Sequence, residues 1–479
     1  EKYGYALVDG VRVEIGSYLA EPSCIFMGRG KHPLRGRWKE GPRQGDITLN
    51  LSPDAPIPDG NWREVVWQPD SMWVARWDDK LRGKEKYVWL SDTSFVKQER
   101  DIEKFDLALE LGHRIGDLRA HITAGLNALE EGRRRTATAC YLIDVLKLRV
   151  GDEKDKDEAD TVGATTLRPE HVEIGLDGVA RVDFLGKDSV RWRKEVALPP
   201  AVVENIKGFM AQARSSIFEG VDSQAVSSFL DEVLPGATAK VFRTYHASKA
   251  VEDFLAGTRV SREDPVYVKK HVAAMANLQA AVVCNHKRMP PKGWREVLAK
   301  KKMRLEQRKT SVGGSVERYR QKMKGEEERY GERLAKHEEK LEEQKRKLGE
   351  HLRQLDEREE QGRTAKGIRK TIAAKRRGIK AERERVRELR ERHVERMERL
   401  RQQAEKRKQA GQAYVERLKL QIEAQRATRD YNLGTSLKSY IDPRIYRAWS
   451  EGLGFDWKLY YPRSLQRKFS WVDSQTAQT

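Results

Sequence analysis

A small set of residues, spread over most of the chain, could together break and remake a phosphodiester. Tyr440 lies in a polar, glycine-opened stretch, Leu433-Gly-Thr-Ser-Leu-Lys-Ser-Tyr440-Ile-Asp-Pro-Arg444. A tyrosine hydroxyl titrates near ~10 in water, so it attacks phosphorus at neutral pH only where cations favour the phenolate and neutralise the phosphate. Candidate cations occur at Arg149 in Leu146-Lys-Leu-Arg149-Val-Gly, at Lys187, at Arg243 in Lys240-Val-Phe-Arg243-Thr-Tyr and at His286 in Cys284-Asn-His286-Lys-Arg. A guanidinium stays charged and forks onto two oxygens, whereas a lysine ammonium can give up a proton. Taken singly, each cation reads as a surface charge or salt-bridge partner, His286 as an ordinary histidine and Tyr440 as a packed ring.

The elements that must position these residues follow from periodicity. Residues 1–95 carry short alternating runs such as Ile47-Thr-Leu-Asn-Leu, Met72-Trp-Val-Ala-Arg-Trp and Lys86-Tyr-Val-Trp-Leu, broken by Gly, Pro and Asp, which predicts a β-rich lobe. Within it Gly28 to Lys39 is a basic, glycine-bearing loop, read either as a solvated surface loop or as an anion-binding one. Helical spacing dominates residues 96–291, with Ala137, Cys140, Tyr141, Ile143, Val145, Leu146 and Leu148 as the main buried material. It is interrupted by a predicted β-hairpin, Arg181-Val-Asp-Phe-Leu and Val190-Arg-Trp-Arg, with Lys187 at its tip. In residues 292–429 Leu334, Leu341, Leu348 and Leu355 repeat at heptad spacing, and a second series runs through Val386, Leu389, Met397, Leu400 and Ala404. A glycine-bearing stretch near Gln361 separates them. Arms of roughly 45 residues, about 70 Å each at helical rise, predict an antiparallel coiled-coil hairpin that returns the chain to the helical domain. A parallel homodimeric coiled coil is the rival arrangement. Residues 430–479 then form a C-terminal domain carrying Tyr440. The fold class is multidomain α+β.

Composition agrees with such a plan. The chain has 479 residues, 35% of them charged and only 38% apolar, so part of it must be a solvated, non-globular element. A formal charge of +20 makes a polyanion the default partner, duplex DNA being the commonest. No apolar run long enough to span a bilayer, no signal peptide and no lipidation motif occur, which reads as a soluble intracellular protein. Cys24, Cys140 and Cys284 form no ligand pattern and are expected to be reduced and buried. Glu1 falls inside a strand pattern, which points to a preceding segment.

Several segments together resemble one family, the eukaryotic-type DNA topoisomerase IB. They are Glu21-Pro22 with Phe26-Met-Gly-Arg29-Gly-Lys31-His-Pro; Leu146-Lys-Leu-Arg149-Val-Gly-Asp-Glu-Lys; Ala159-Asp-Thr-Val-Gly with Leu167-Arg-Pro-Glu-His; Asp183-Phe-Leu-Gly-Lys187-Asp-Ser-Val-Arg; Thr238-Ala-Lys-Val-Phe-Arg243-Thr-Tyr-His-Ala-Ser; Cys284-Asn-His286; and Leu433-Gly-Thr-Ser with Tyr440-Ile-Asp-Pro-Arg. The resemblance is collinear from near Glu1 to Met289 and resumes from Tyr431 to the region of Trp471. It implies a β-rich DNA-clamp lobe, a mainly helical catalytic core of the kind tyrosine recombinases share, a coiled-coil linker and a small helical C-terminal domain.

The implied activity is relaxation of positive and negative supercoils by cutting one strand, allowing rotation and resealing. Tyr440 would be the nucleophile, forming a 3′-phosphotyrosyl link. Arg149, Arg243 and His286 would bind the non-bridging oxygens, and Lys187 would be the general acid for the 5′-oxygen. Arg29, Lys31, Lys86 and Tyr87 match positions that contact DNA near the cut, and Asp152, Asp188, Thr435 and Ser439 match others beside the phosphate or the nucleophile. Neither ATP nor a divalent metal is implied. The implied partner is double-stranded DNA, bound chiefly through phosphates and so with steep salt dependence and little sequence preference; the protein would act as a monomer on the chromosome, in a nucleus or a nucleoid according to source. Three departures stand out: the upstream part of the family's DNA clamp is missing, Ser439 and Met27 replace the Asn and the basic residue of many relatives, and the coiled coil is longer than the family's short linker. Two alternatives stay open. A tyrosine recombinase would use the same chemistry, but recombinases usually carry His where Lys240 stands, and they lack a long coiled coil before the tyrosine. A non-catalytic coiled-coil chromosome protein would bind DNA through its basic surface alone.

Overall fold

The computed structural model describes residues 4–28, 32–151 and 160–474. The N-terminal lobe is built of short strands, because its apolar runs are cut every few residues by Gly, Pro or Asp. β1 (Tyr5–Val8) and β2 (Val11–Glu14) form a hairpin, and β3 (Cys24–Ile25) pairs with β4 (Trp38–Lys39). β5 (Thr48–Asn50), β6 (Glu64–Val66), β7 (Trp73–Asp78) and β8 (Glu85–Trp89) make one sheet in the order β6-β5-β7-β8, parallel only between β5 and β6. The basic loop therefore joins β3 to β4. Its last cation, Lys39, does not face solvent: it is 2% exposed and paired with Glu21 at 2.5 Å and Asp79 at 3.0 Å. Such a buried charge is tolerated only because it is doubly paired.

Helices follow: α1 (Phe95–His113), α2 (Ile115–Leu126) and α3 (Glu131–Leu146). β9 (Val172–Ile174), β10 (Val179–Gly186) and β11 (Val190–Ala197) form an antiparallel sheet in the order β11-β10-β9, and a tight turn at Lys187–Ser189 closes the long hairpin. α4 (Pro200–Gln212), α5 (Ser223–Asp231), α6 (Ala239–Ala256) and α7 (Val266–Val283) complete the segment. A first core gathers α2, α3, α4, α5 and the sheet around Leu118, Ile143, Leu146, Val202 and Phe242. Cys140 and Cys284 are buried as expected, whereas Cys24, on a two-residue edge strand, is only half-buried.

Residues 1–290 and 426–479 form one compact unit and residues 291–425 another. The second unit is α8 (Trp294–Glu360) followed by α9 (Lys366–Ala427). Their cross-contacts descend on one helix as they climb on the other: Trp294 donates to the Gln425 carbonyl, Arg308 covers Tyr414, Tyr330 stacks on His393, His337 pairs with Glu382, and Arg369 reaches Glu359. This is the antiparallel hairpin. Its arms, at 67 and 62 residues, are longer than the leucine series shows, reaching about 100 Å. The excess is the seam's less apolar part. Gly411 sits where a Cβ would come 2.5 Å from Val312, and Glu382, His337 and His393 occupy places a leucine count passes over.

The C-terminal residues return to the first unit. α10 (Leu433–Ser439), α11 (Pro443–Gly452), α12 (Arg463–Lys468) and α13 (Trp471–Ser474) pack on α1, α6 and α7. A second core results, in which Tyr440, Ile441, Tyr446, Trp457, Tyr461, Phe469 and Trp471 meet Phe105, Ala247, Ala273, Ala276 and Ala280. The alanines on α6 and α7 leave room for these aromatic rings. The polar stretch before Tyr440, with no readable periodicity, is thus helical.

Candidate active site

Arg149 is placed by two backbones in close approach. α3 stops at Lys147, which adopts a left-handed φ of 63°. The following Arg149–Gly151 segment then accepts from Ala164 and Thr165 N–H at 2.9 Å each. A Cβ on Gly151, whose φ is 90°, would lie 2.6 Å from the Gly163 Cα, so only glycine lets the two segments meet there. Val162 in turn donates to Leu185 of β10 at 2.7 Å, tying Arg149 to the hairpin that carries Lys187.

His286 is placed by a helix end. α7 closes with Asn285 in the left-handed region at φ 52°, with Asn285 N–H on the Val282 carbonyl and His286 N–H on the Ala281 carbonyl. This paired 5→2 and 6→1 closure swings His286 off the helix. Its backbone then starts a short two-stranded ribbon with the C-terminal segment: Asn432 N–H donates to the His286 carbonyl at 2.7 Å, Lys287 bridges Tyr431, and Arg288 N–H donates to the Asp430 carbonyl at 2.8 Å. The ribbon delivers α10, and with it Tyr440, against His286.

Tyr440 caps α10, with its N–H on the Ser436 carbonyl at 2.9 Å. Its ring is 4% exposed. The Arg243 guanidinium stands 5.2 Å and that of Arg149 5.9 Å from the ring centre, and the His286 ring 4.9 Å. Arg243, from α6, is itself buried. It donates to the Lys147 carbonyl at 2.6 Å and the Cys284 carbonyl at 2.9 Å, and approaches His286 Nε2 at 3.3 Å. Its Nε–H is buried without a hydrogen-bond partner among the described residues. A buried donor left unpaired is costly, so this one favours an incoming acceptor. Burial first, then Arg243 and Arg149, push the His286 imidazole down to about 3, so the ring is neutral at physiological pH.

An open cleft of about 650 Å³ is lined by Arg149, Lys187, Arg243, His286 and Thr435, the last half-buried on α10. Lys86 and Tyr87, on β8, instead border a separate cavity of about 830 Å³, with Glu14, Asp92, Lys438 and Arg467. Lys86 lies 3.7 Å from Glu21, and the Tyr87 hydroxyl donates to Glu85, which raises its pKa. Ser439 is half-buried beside the tyrosine. Arg29, Lys31 and Asp152 lie outside the described residues, as does the side chain of Asp188.

Sequence reasoning missed two supports. Ser436, fully buried, places its Oγ 2.7 Å from His286 Nδ1. Asp144, on α3, receives His246 Nε2 at 2.6 Å and Arg119 Nε at 2.7 Å, joining α2, α3 and α6 one turn from Arg243. Burial would raise the Asp144 pKa, but these hydrogen bonds outweigh it and hold the carboxylate ionised. The only sequence signal was the three-residue spacing of Arg243 and His246, one face of a helix.

A tyrosine with two guanidiniums, a neutral imidazole and a nearby lysine defines a site suited to nucleophilic attack on an anionic ester. Comparison with known proteins carries this further. Family models match three stretches of the chain: the DNA binding fragment of eukaryotic DNA topoisomerase I over residues 1–90, its catalytic core over residues 93–319 and the C-terminal topoisomerase domain over residues 412–478. The chain is 33% identical to DNA topoisomerase 1 beta of Arabidopsis thaliana over 98% of its own length and 46% of that protein's. It is 35% identical to the mitochondrial DNA topoisomerase I of Rattus norvegicus over 65% of this chain and 54% of that one. With DNA topoisomerase 1 of Caenorhabditis elegans it shares 35% identity over 65% of this chain and 41% of the relative. The chain thus spans about half the length of such relatives. It belongs to the eukaryotic-type DNA topoisomerase IB family.

Proposed function

We propose that the chain relaxes supercoiled duplex DNA as a type IB topoisomerase. The observation that carries the reading is the Tyr440 ring held under Arg149, Arg243 and His286. Tyr440 Oη gives its proton to water of the cleft and attacks a backbone phosphorus, and the bond to the 5′-oxygen breaks as the 3′-phosphotyrosyl bond forms. Arg149 and Arg243 neutralise the non-bridging oxygens, where charge grows in the pentacoordinate transition state. His286 adds a neutral donor. Lys187 gives its proton to the departing 5′-oxygen and takes it back when that hydroxyl reattacks. The phosphotyrosine conserves the bond energy, so resealing needs no ATP, and with charge neutralised by guanidiniums the scheme assigns no step to a divalent metal.

In this proposal residues 1–95 clamp the duplex, 96–291 hold the catalytic cations, 292–429 form a linker whose basic surface slows rotation of the cut end, and 430–479 supply the nucleophile. Lys86, Tyr87, Thr435 and Ser439, with Arg29, Lys31, Asp152 and Asp188, touch the DNA around the cut. The protein works as a monomer on chromosomal DNA. Tyr440→Phe tests the scheme: it should abolish covalent capture of a nicked suicide duplex on a denaturing gel while DNA affinity stays within about twofold. Capture surviving in Y440F would sink it. Relaxation of a supercoiled plasmid in EDTA without ATP separates topoisomerase from recombinase.

A further inference from the structure

We propose that Ser436 is a positioning residue for the cleavage step: by turning its hydroxyl it sets which nitrogen of His286 carries the proton. The inference rests on the reading of the cleft as a phosphodiester site. Its geometric basis is a pair of contacts on opposite sides of one imidazole. On one side Arg243 Nη2 lies 3.3 Å from His286 Nε2. A guanidinium offers only donors, so Nε2 must present its lone pair and the ring's single proton sits on Nδ1. On the other side Ser436 Oγ, at 2.7 Å, accepts that proton. In the DNA-free protein the hydrogen bonds therefore run Arg243 to His286 to Ser436.

That direction is wrong for holding a phosphate. An anionic oxygen only accepts, so His286 can serve it through Nε2 only when Nε2 carries the hydrogen. Burial together with the two arginines keeps the ring from gaining a second proton. The neutral ring must then release Nδ1–H and take it on Nε2, which leaves Nδ1 in need of a donor. A serine hydroxyl can accept in one rotamer and donate in another, whereas a carboxylate, an amide N–H or a guanidinium is fixed in one sense. Ser436 is fully buried and His286 nearly so, which excludes water as an easy substitute. The chemistry balances: Nε2 takes a proton from water of the open cleft and Nδ1 returns its own to solvent before the phosphate seats, the serine hydroxyl rotates, and no net charge is made.

The same serine also holds the nucleophile. Its backbone carbonyl accepts the N–H groups of Tyr440 at 2.9 Å and Ile441 at 3.1 Å. One residue thus couples the orientation of the attacking phenol to the donor state of the imidazole. Removing a donor aimed at a developing charge typically costs roughly 100- to 1000-fold in rate, and a donor that is present but mistuned should cost less than that.

The test uses the full chain with ¹⁵N-labelled histidine, the His286 signals being assigned from H286Q. The DNA-free protein should show Nδ1 protonated and Nε2 unprotonated, and nicked duplex with orthovanadate should reverse the two. Ser436→Ala should lower single-turnover capture roughly tenfold or more, with DNA affinity and melting temperature near wild type, and Ser436→Thr should restore most of the rate. Wild-type capture in S436A, the same tautomer in both states, or a loss in S436A that tracks melting temperature and is not restored by S436T would each overturn the inference. Capture persisting in Y440F would instead defeat the underlying reading, and the DNA-free tautomer would still report on Ser436.

Discussion

His286 and Asp144 are buried ionisable groups whose charge states oppose each other, and both make stability depend on pH. An unfolded histidine titrates near ~6.5, whereas in the fold His286 is pushed down to about 3. Between those values the unfolded chain binds a proton that the folded chain refuses, so this contribution is complete above about pH 6.5 and is lost as pH falls towards 3. Wild type should lose more stability than H286Q between pH 7.5 and 5, by something on the order of 1–2 kcal/mol, measured by urea denaturation. His246 is also lowered and adds to the same trend in both proteins, which is why the difference between them is the useful quantity. Asp144→Asn should cost about 1–2 kcal/mol by the same method, because largely buried His246 loses a charged acceptor while half-exposed Arg119 turns to water. A loss below about 0.5 kcal/mol would show that Asp144 is not a keystone between α2, α3 and α6.

At the level of elements, contacts between distant segments contribute unequally. The C-terminal end is held to the N-terminal lobe by Arg467 on Glu14 and by Lys438 on Asp92 at 2.6 Å, and to α1 by Gln98 on Ser470 at 3.1 Å. These ion pairs are partly open to solvent, so Asp92→Asn should change stability by about 1 kcal/mol or less. Gly151→Ala is the opposite case. With φ at 90° and Gly163 backbone in the way, it should cost roughly 2–4 kcal/mol and also slow capture, because Arg149 lies two residues before it. Melting curves and suicide-substrate rates for both variants check the ranking.

Much of the element plan was legible from sequence because it rests on local pattern. The hairpin bearing Lys187 followed from alternation, and the coiled coil from its leucines. Arg149, Arg243, His286 and Tyr440 could be picked out because each sits in a distinctive motif. α10 was not legible, since seven residues containing Gly, Thr and two Ser carry no helical period. Ser436 and Asp144 escaped for a different reason. Their partners lie 150 and 102 residues away, and nothing in a serine or an aspartate announces a distant imidazole. The coiled-coil arms were read short because Glu382, His337 and Gly411 break the apolar series while still facing the partner helix.

For the whole molecule, the shared second core decides how the chain can be divided. Tyr440, Tyr446, Phe469 and Trp471 complete a core whose other half is α1, α6 and α7. A fragment ending near Met289 should therefore expose Phe105 and the alanine faces, bind a hydrophobic dye, and capture no DNA. Adding residues 431–479 in trans should restore capture and abolish dye binding together. Recovery of one without the other would separate the delivery of Tyr440 from the packing that accompanies it.

The ribbon of His286–Arg288 against Asp430–Asn432 has one more consequence. Because the chain leaves and re-enters the first unit on adjacent, hydrogen-bonded strands, residues 291–425 are to that unit what a loop is to a β-hairpin. The length of such a loop is nearly invisible to the stem, since doubling it costs only about 0.6 kcal/mol of closure entropy. Lengthening, shortening or replacing the insertion need not disturb the residues gathered around Tyr440, and joining Pro290 to Arg426 through a short flexible turn should leave that arrangement in place.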